Sequence, residues 1–224
     1  MATIDTAELE LFRDNVKRFL ANEIQPHYEQ WEKDAWMPRE FWNKLGENGL
    51  LCVDQPEQYG GVGVPFQYSM VILNEMAKMG LSSLATGVSV HSDICAPYVE
   101  HLGSQAIKDY WLPRMASGEA VAAIGMTEPG AGSDLAGIRT SAVRDGDHYV
   151  LNGSKTFISN GQHADIIIMA VKTDPSAGAK GVSLLLVDTS LPGFNKGKKL
   201  EKMGLQSQDT SEMFMDNVRV PVDC

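Results

Sequence analysis

Two short segments hold the residue types and spacings that could do chemistry. The first is Ile124-Gly125-Met126-Thr127-Glu128-Pro129-Gly130-Ala131-Gly132-Ser133-Asp134. A strand-like run enters a turn with glycines at 130 and 132 and hydroxyls at Thr127 and Ser133. Glycines let backbone N–H groups approach a ligand closely and shape concavities that hold anions. The same pattern also makes an ordinary tight turn between strands. A nicotinamide-type dinucleotide loop fails on detail: the position after Gly130-Ala131-Gly132 that needs Gly or Ala holds Leu135, and the surroundings are strand-rich. A P-loop fails because no Gly-Lys-Ser/Thr follows. The second segment is Asn152-Gly153-Ser154-Lys155-Thr156-Phe157-Ile158-Ser159-Asn160-Gly161. Read as a strand, it puts Phe157 and Ser159 on one face and Ile158 on the other. A ring beside a hydroxyl suits the face and edge of a flat cofactor such as a flavin. A routine strand between two Asn-Gly turns uses the same residues. His91 and Cys95 sit one helical turn apart, but two ligands do not make a metal site. A packed histidine beside a buried thiol accounts for them.

The elements that must position these segments change character near residue 119. Before it, Leu9, Phe12, Val16 and Phe19 recur at helical spacing, with Asp5 and Glu8 as a capping pair. Pro38 suits the first position of a second helix bearing Phe41, Trp42 and Leu45 on one face. Gly60-Gly61-Val62-Gly63 is a loop, and Tyr68, Val71, Ile72, Met76 and Met79 mark a third helix. Leu84, Val88, His91, Cys95, Tyr98 and Leu102 define one face of a fourth, with a kink or break expected at Pro97. Ser104 caps a fifth that runs through Trp111 and is disturbed or ended by Pro113.

After residue 119, Ala120 to Ile124 begins a strand. Arg144-Asp145-Gly146-Asp147 links Thr140–Val143 to His148–Leu151 as a hairpin. Asn152-Gly153 and Asn160-Gly161 read as further turns. Ile166–Val171 and Val182–Val187 suit strands buried on both faces, and Asp174–Ala179 reads as a mobile surface loop. The expected fold is α+β: a helical domain over residues 1–118, then a β-barrel or sandwich domain over 119–224.

The formal net charge of −10 makes nucleic acid an unexpected partner. Three cysteines, Cys52, Cys95 and Cys224, show no metal or disulfide spacing and fit a reducing compartment. Met1-Ala2-Thr3-Ile4-Asp5 has no secretory character, and no apolar run approaches the roughly 18 residues of a membrane span. A cytoplasmic protein without membrane attachment is expected.

Taken together, the segment Met126 to Asp134 and the segment Asn152 to Gly161 resemble the two flavin signatures of the acyl-CoA dehydrogenase family. Pro56-Glu57-Gln58-Tyr59-Gly60-Gly61 resembles its N-terminal loop. Lys199-Leu200-Glu201-Lys202-Met203-Gly204 with Asp209-Thr210-Ser211-Glu212 resembles the end of its middle domain. The resemblance covers nearly the whole chain and is nearest the long-chain and isovaleryl-type branch. It implies an N-terminal helical domain, a middle β domain and a C-terminal helical domain, the last not matched within this sequence. Cys224 after Val218-Arg219-Val220-Pro221 then reads as a cut between domains. It also implies FAD bound by Ile124, Met126, Thr127, Gly132, Ser133, Phe157, Ile158 and Ser159. Ser133, Ala179 and Lys180 would meet an acyl-CoA substrate, although a solvated surface lysine fits Lys180 equally well. Phe157 stands where many relatives have Trp, which keeps the stacking surface and loses an indole donor.

The implied reaction is α,β-desaturation of an acyl-CoA thioester, with electrons leaving to an electron-transferring flavoprotein and the complete enzyme a homotetramer or dimer. No catalytic residue is assigned here, because the family's base lies in the C-terminal domain; no metal is expected. Two alternatives stay open: an acyl-CoA oxidase or flavin monooxygenase on the same fold, separated by oxygen reactivity of the reduced flavin, and a non-catalytic chain that binds flavin, CoA or a partner.

Overall fold

The computed structural model describes residues 6–224, so the Asp5 half of the Asp5–Glu8 pair lies outside the described residues. Helix α1 spans Thr6–Phe19; Val16 is buried and Leu9, Phe12 and Phe19 pack against the core. It continues through a widened turn at Leu20–Ile24 into α2, Gln25–Asp34. Sequence reasoning missed α2 because the helix buries no residue fully and offers only Tyr28 and Trp31 to the core. The helix carrying Phe41, Trp42 and Leu45 is therefore the third, α3, and it begins at Glu40, two residues after Pro38. Helix α4 spans Gln67–Lys78.

Pro97 does not break the fourth predicted helix. Helix α5 (Ser82–Val88) runs into a π segment at Ser89–Cys95 and then α6 (Ala96–Leu102) without interruption. Proline has no N–H to bond the carbonyl four residues back, and widened turns absorb that missing bond. The widening rotates later residues about the axis, so Leu102 ends 69% exposed instead of sharing the buried face of Leu84, Val88, His91 and Cys95. Helix α7, Gln105–Ser117, is capped by Ser104 Oγ and carries Pro113 within it. It survives because Leu112, Met115 and Ala116 are buried on either side of the proline.

The strands are β1 Ala122–Gly125, β2 Ser141–Asp145, β3 His148–Ser159, β4 Ile166–Lys172, β5 Val182–Asp188, β6 Phe194–Lys199 and β7 Thr210–Pro221. They form one curled sheet in the order β1-β4-β2-β3-β7-β6, with β5 also paired to β4. Strand β1 lies parallel to β4 from Ala122↔Ile166 to Gly125↔Met169, and β2 takes up the same edge at Ser141↔Lys172. The other pairings are antiparallel, and β2 and β3 close on Gly146-Asp147 as the hairpin signal predicts.

Strand β4 is buried from Ile166 to Val171 because it feeds two cores. Ile166 and Ile168 join the helical core, while Ile167, Met169 and Val171 pack inside the curl. Strand β5 is less buried than its apolar run suggested: Val182, Leu184 and Leu186 remain partly accessible. Asn152-Gly153 is no turn. It lies inside β3, where the register to β7 slips by one residue around Asn217. Gly153 has φ 147°, and a Cβ there would meet the Thr140 side chain at 2.6 Å, so only glycine fits. The 174–179 stretch is not a plain loop either: helical turns occupy Pro175–Gly181, and Asp174 accepts from the Ser176 N–H.

His91 joins the two halves. Its Nδ1 accepts from Ala122 N–H at 3.1 Å and its Nε2 sits 3.0 Å from the Met115 carbonyl, so the neutral tautomer protonated at Nε2 satisfies both. Complete burial lowers its pKa from 6.5 to about 4, which the bond to Met115 only partly opposes. The unfolded chain binds this proton below about pH 6.5 and the folded chain does not until about pH 4. Stability therefore falls as pH falls through that window, by up to roughly 3 kcal/mol. Urea unfolding of the parent and His91→Gln at stepped pH checks this: the parent loses stability more steeply between pH 6.5 and 4, and equal slopes would contradict it.

Candidate functional site

The two chemistry-bearing segments meet. Thr156 N–H donates to the Thr127 carbonyl at 2.9 Å, docking β3 onto the turn that follows β1. That turn is closed by paired bonds between Glu128 and Ala131. Gly130 and Gly132 have open space where a Cβ would stand, and among the described residues no hydrogen bond engages the N–H of Gly130, Gly132 or Ser133. These groups are therefore available to an external acceptor. Beside them Phe157 is 66% exposed. Its φ of 59° is unfavourable for a bulky residue, so the surrounding structure must hold it there.

A bulge produces this geometry. Between Lys155↔Met213 and Ile158↔Ser211, β3 carries one residue more than β7. Lys155 and Thr156 are consequently both buried, Phe157 is pushed out, and Ile158 returns to the interior. Simple alternation would have set Lys155, Phe157 and Ser159 on one face. The structure buries Lys155 completely and gives it Glu128 Oε1 at 2.8 Å and the Met126 carbonyl at 3.1 Å. Glu128 also accepts from the N–H of Arg139 at 2.6 Å and of Thr140 at 3.0 Å. Burial raises the Glu128 pKa, but Lys155 and these N–H donors outweigh it and hold the carboxyl below the usual carboxylate value. Glu128 is thus a committed anion and ill suited to take a proton.

The other expected site residues fall in distinct places. Thr127 and Ser159 are partly accessible and Ser133 is exposed. Ile124 packs against the helical core, Met126 against Ala131, Ile138 and Ala170, and Ile158 inside the curl. These three can face a ligand only through their backbones or side-chain margins. Ala179 and Lys180 are exposed on the 175–181 turns. Lys172 holds those turns beside the glycine loop, donating to the carbonyls of Ala136 at 2.9 Å and Gly178 at 2.8 Å.

Sequence reasoning assigned no role to Lys155, Lys172 or Asn160. For Asn160 the available signal was the Asn-Gly pair, and φ 62° there bears it out as a turn. Its side chain does more. It donates to the carbonyls of Gly87 and Ala122 at 2.9 and 3.2 Å and accepts from Gln208 at 2.9 Å. It thereby fixes the end of β3 to the start of β1. His91 and Cys52 form a closed buried cluster with Ser92; the Cys52 thiol is pushed up to about 12 by burial and has no nucleophilic character. Among the described residues no group of three or more potential ligands could hold a metal ion. Replacing Asn160 by Ala strands two buried carbonyls and leaves a left-handed alanine, a loss of roughly 3 kcal/mol. Urea unfolding measures it, and a loss below about 1 kcal/mol would contradict the role given to this side chain.

Comparison with known proteins bears on this arrangement. Residues 6–119 match the acyl-CoA dehydrogenase N-terminal domain and residues 123–218 its middle domain. The chain is 42% identical over 220 residues to the mitochondrial long-chain specific acyl-CoA dehydrogenase of Sus scrofa, covering 97% of this chain and 51% of that protein. The crystal structure of an acyl-CoA dehydrogenase from Geobacillus kaustophilus superposes with a TM-score of 0.95 at 50% identity, covering 100% of this chain and 59% of that one. A glutaryl-CoA dehydrogenase from Mycobacterium smegmatis in complex with FADH2 gives a TM-score of 0.90 at 33% identity, covering 98% of this chain and 55% of the other. The chain thus spans about half the length of the curated relatives it matches. With both of its halves matched and the likeness running through nearly every residue, the chain belongs to the acyl-CoA dehydrogenase family.

Proposed function

We propose that this chain forms the front portion of an FAD-dependent acyl-CoA dehydrogenase that desaturates acyl-CoA thioesters between the α and β carbons. The observation that carries the reading is the docking of Thr156 on Thr127, which presents an exposed aromatic ring beside a glycine loop with unengaged N–H groups. These groups suit FAD. The Phe157 ring offers a stacking face, Thr127 and Ser159 offer hydroxyls to the ring edge, and the N–H groups of Gly132 and Ser133 suit the pyrophosphate. When bound, FAD supplies the hydride acceptor.

The remaining roles belong to the chain. Ser133 lies between flavin and thioester, Ala179 and the Lys180 cation receive CoA, and the close-packed strands behind them keep water from one side of the site. In this reading the boundary between the helical domain and the β domain that carries these groups falls between residues 118 and 119. No base is assigned within residues 1–224, because the family resemblance implies a base in the C-terminal domain; Glu128, the carboxylate of the signature segment, is spent on Lys155 and on the N–H groups of Arg139 and Thr140. An electron-transferring flavoprotein takes the electrons and the complete enzyme is a homo-oligomer; the family resemblance supports both. Among the described residues no helix is long and apolar enough to cross a membrane. A cytoplasmic location is part of the proposal. The pig relative is mitochondrial, and cell fractionation decides between the two.

The purified chain with FAD, acyl-CoA thioesters of several lengths and an artificial electron acceptor tests the reading. The chain gives no turnover and holds FAD more weakly than the protein expressed from its full gene, in which Ser133→Ala and Ser159→Ala together weaken FAD retention by about tenfold or more, the loss of about one or two hydrogen bonds. Retention unchanged by the double substitution contradicts the flavin surface. Turnover at an enzyme-like rate, on the order of 1–1000 per second, contradicts the assignment of the base outside these residues.

A further inference from the structure

The Lys155–Glu128 pair is more elaborate than stability requires. The Lys155 side chain is 0% exposed and that of Glu128 6%. A buried ion pair of this kind is often replaced by apolar side chains of similar volume without loss of stability. What apolar side chains could not do is hold backbone. Through this pair four points are fastened together: the Met126 carbonyl, the Arg139 and Thr140 N–H groups, and the strand that bears Lys155. Each point borders the proposed flavin surface. Met126 precedes Thr127, Arg139 and Thr140 close the glycine loop, and Lys155 stands two residues before Phe157.

The pair also sits at the start of the bulge. Drawing the Lys155 ammonium inward to Glu128 sets Lys155 on the interior side of β3. The extra residue that follows then turns Phe157 outward at φ 59°. We propose that Lys155 and Glu128 are the positioning residues of the flavin surface: their pair clamps the glycine turn to β3 and ejects the Phe157 ring, making one rigid platform for an isoalloxazine ring. This rests on the flavin reading above. The two carboxylate oxygens divide the work. Oε1 takes Lys155 and the Thr140 N–H, and Oε2 takes the Arg139 N–H. A carboxamide can accept at only one of its two ends.

The test uses the protein expressed from its full gene and compares the parent with Lys155→Met, Glu128→Gln and the double variant Glu128→Gln/Lys155→Met. Flavin dissociation constants, the visible circular dichroism of bound flavin and the unfolding midpoint of the flavin-free protein are read for each. Lys155→Met leaves a buried carboxylate unpaired, so its midpoint falls and flavin binds at least tenfold more weakly. The double variant carries no buried charge and regains most of the midpoint. It still binds flavin at least tenfold more weakly and with a reduced visible dichroism band, because the clamp is gone. Glu128→Gln, in which Lys155 can bond as a neutral amine, is the milder arm and shows the same flavin defect should the double variant fail to fold. A folded double or Glu128→Gln variant with parental flavin affinity and dichroism overturns the proposal and leaves the flavin reading standing. A parent with no affinity for flavin overturns that reading, and this inference with it.

Discussion

An ammonium group with no access to water sets the terms for the β half of this molecule. Lys155 cannot be buried in β3 unless something charged and well placed meets it, and Glu128 does so from the turn after β1. Satisfying that one cation fixes the approach of two segments almost thirty residues apart, and with it the slipped register between β3 and β7. The strained backbone of Phe157 and the open face of the glycine turn both lie within that frame. Removing one partner of such a pair typically destabilises by about 3–5 kcal/mol, so the arrangement is held firmly once formed.

A second constraint joins the halves. Strand β4 sends alternate side chains to the helical core and to the interior of the curl, so neither core closes without it. Polar contacts then set the angle between them. Arg39, just before α3, donates to the carbonyls of His163 and Glu119 and to the Asp165 carboxylate, which also receives the Val121 N–H. His91 and Asn160 hold β1 from the other side. The strand that enters the glycine turn is thus gripped at its start, at Val121 and Ala122, and paired to β4 from Ala122 to Gly125.

Much of this was legible in the residues. The change from helical to strand period near 119, the Gly146-Asp147 hairpin and the packed state of His91 all follow from spacing and turn chemistry. The signature segments were recognisable as a pair, but their mutual geometry was not. Alternation places Lys155 with Phe157, and only the tertiary demand of Glu128 reverses that placement. Helix α2 escaped because two half-buried aromatics make too faint a stripe. Pro97 and Pro113 were given too much weight as breakers, since widened turns and flanking buried side chains carry both helices past them. Asn152-Gly153 misled because a bulge of β7 around Asn217 requires the same glycine backbone that a turn would.

The central claim is that residues 126–134 and 156–160 form one flavin-binding surface. Hydrogen-exchange mass spectrometry with and without saturating FAD tests it most directly, because the N–H groups of Gly130, Gly132 and Ser133 lack intrachain partners among the described residues. The account predicts that FAD slows exchange in peptides covering both segments together and leaves the α1–α4 peptides unchanged. Protection confined to another part of the molecule, or in neither segment despite bound FAD, would contradict it.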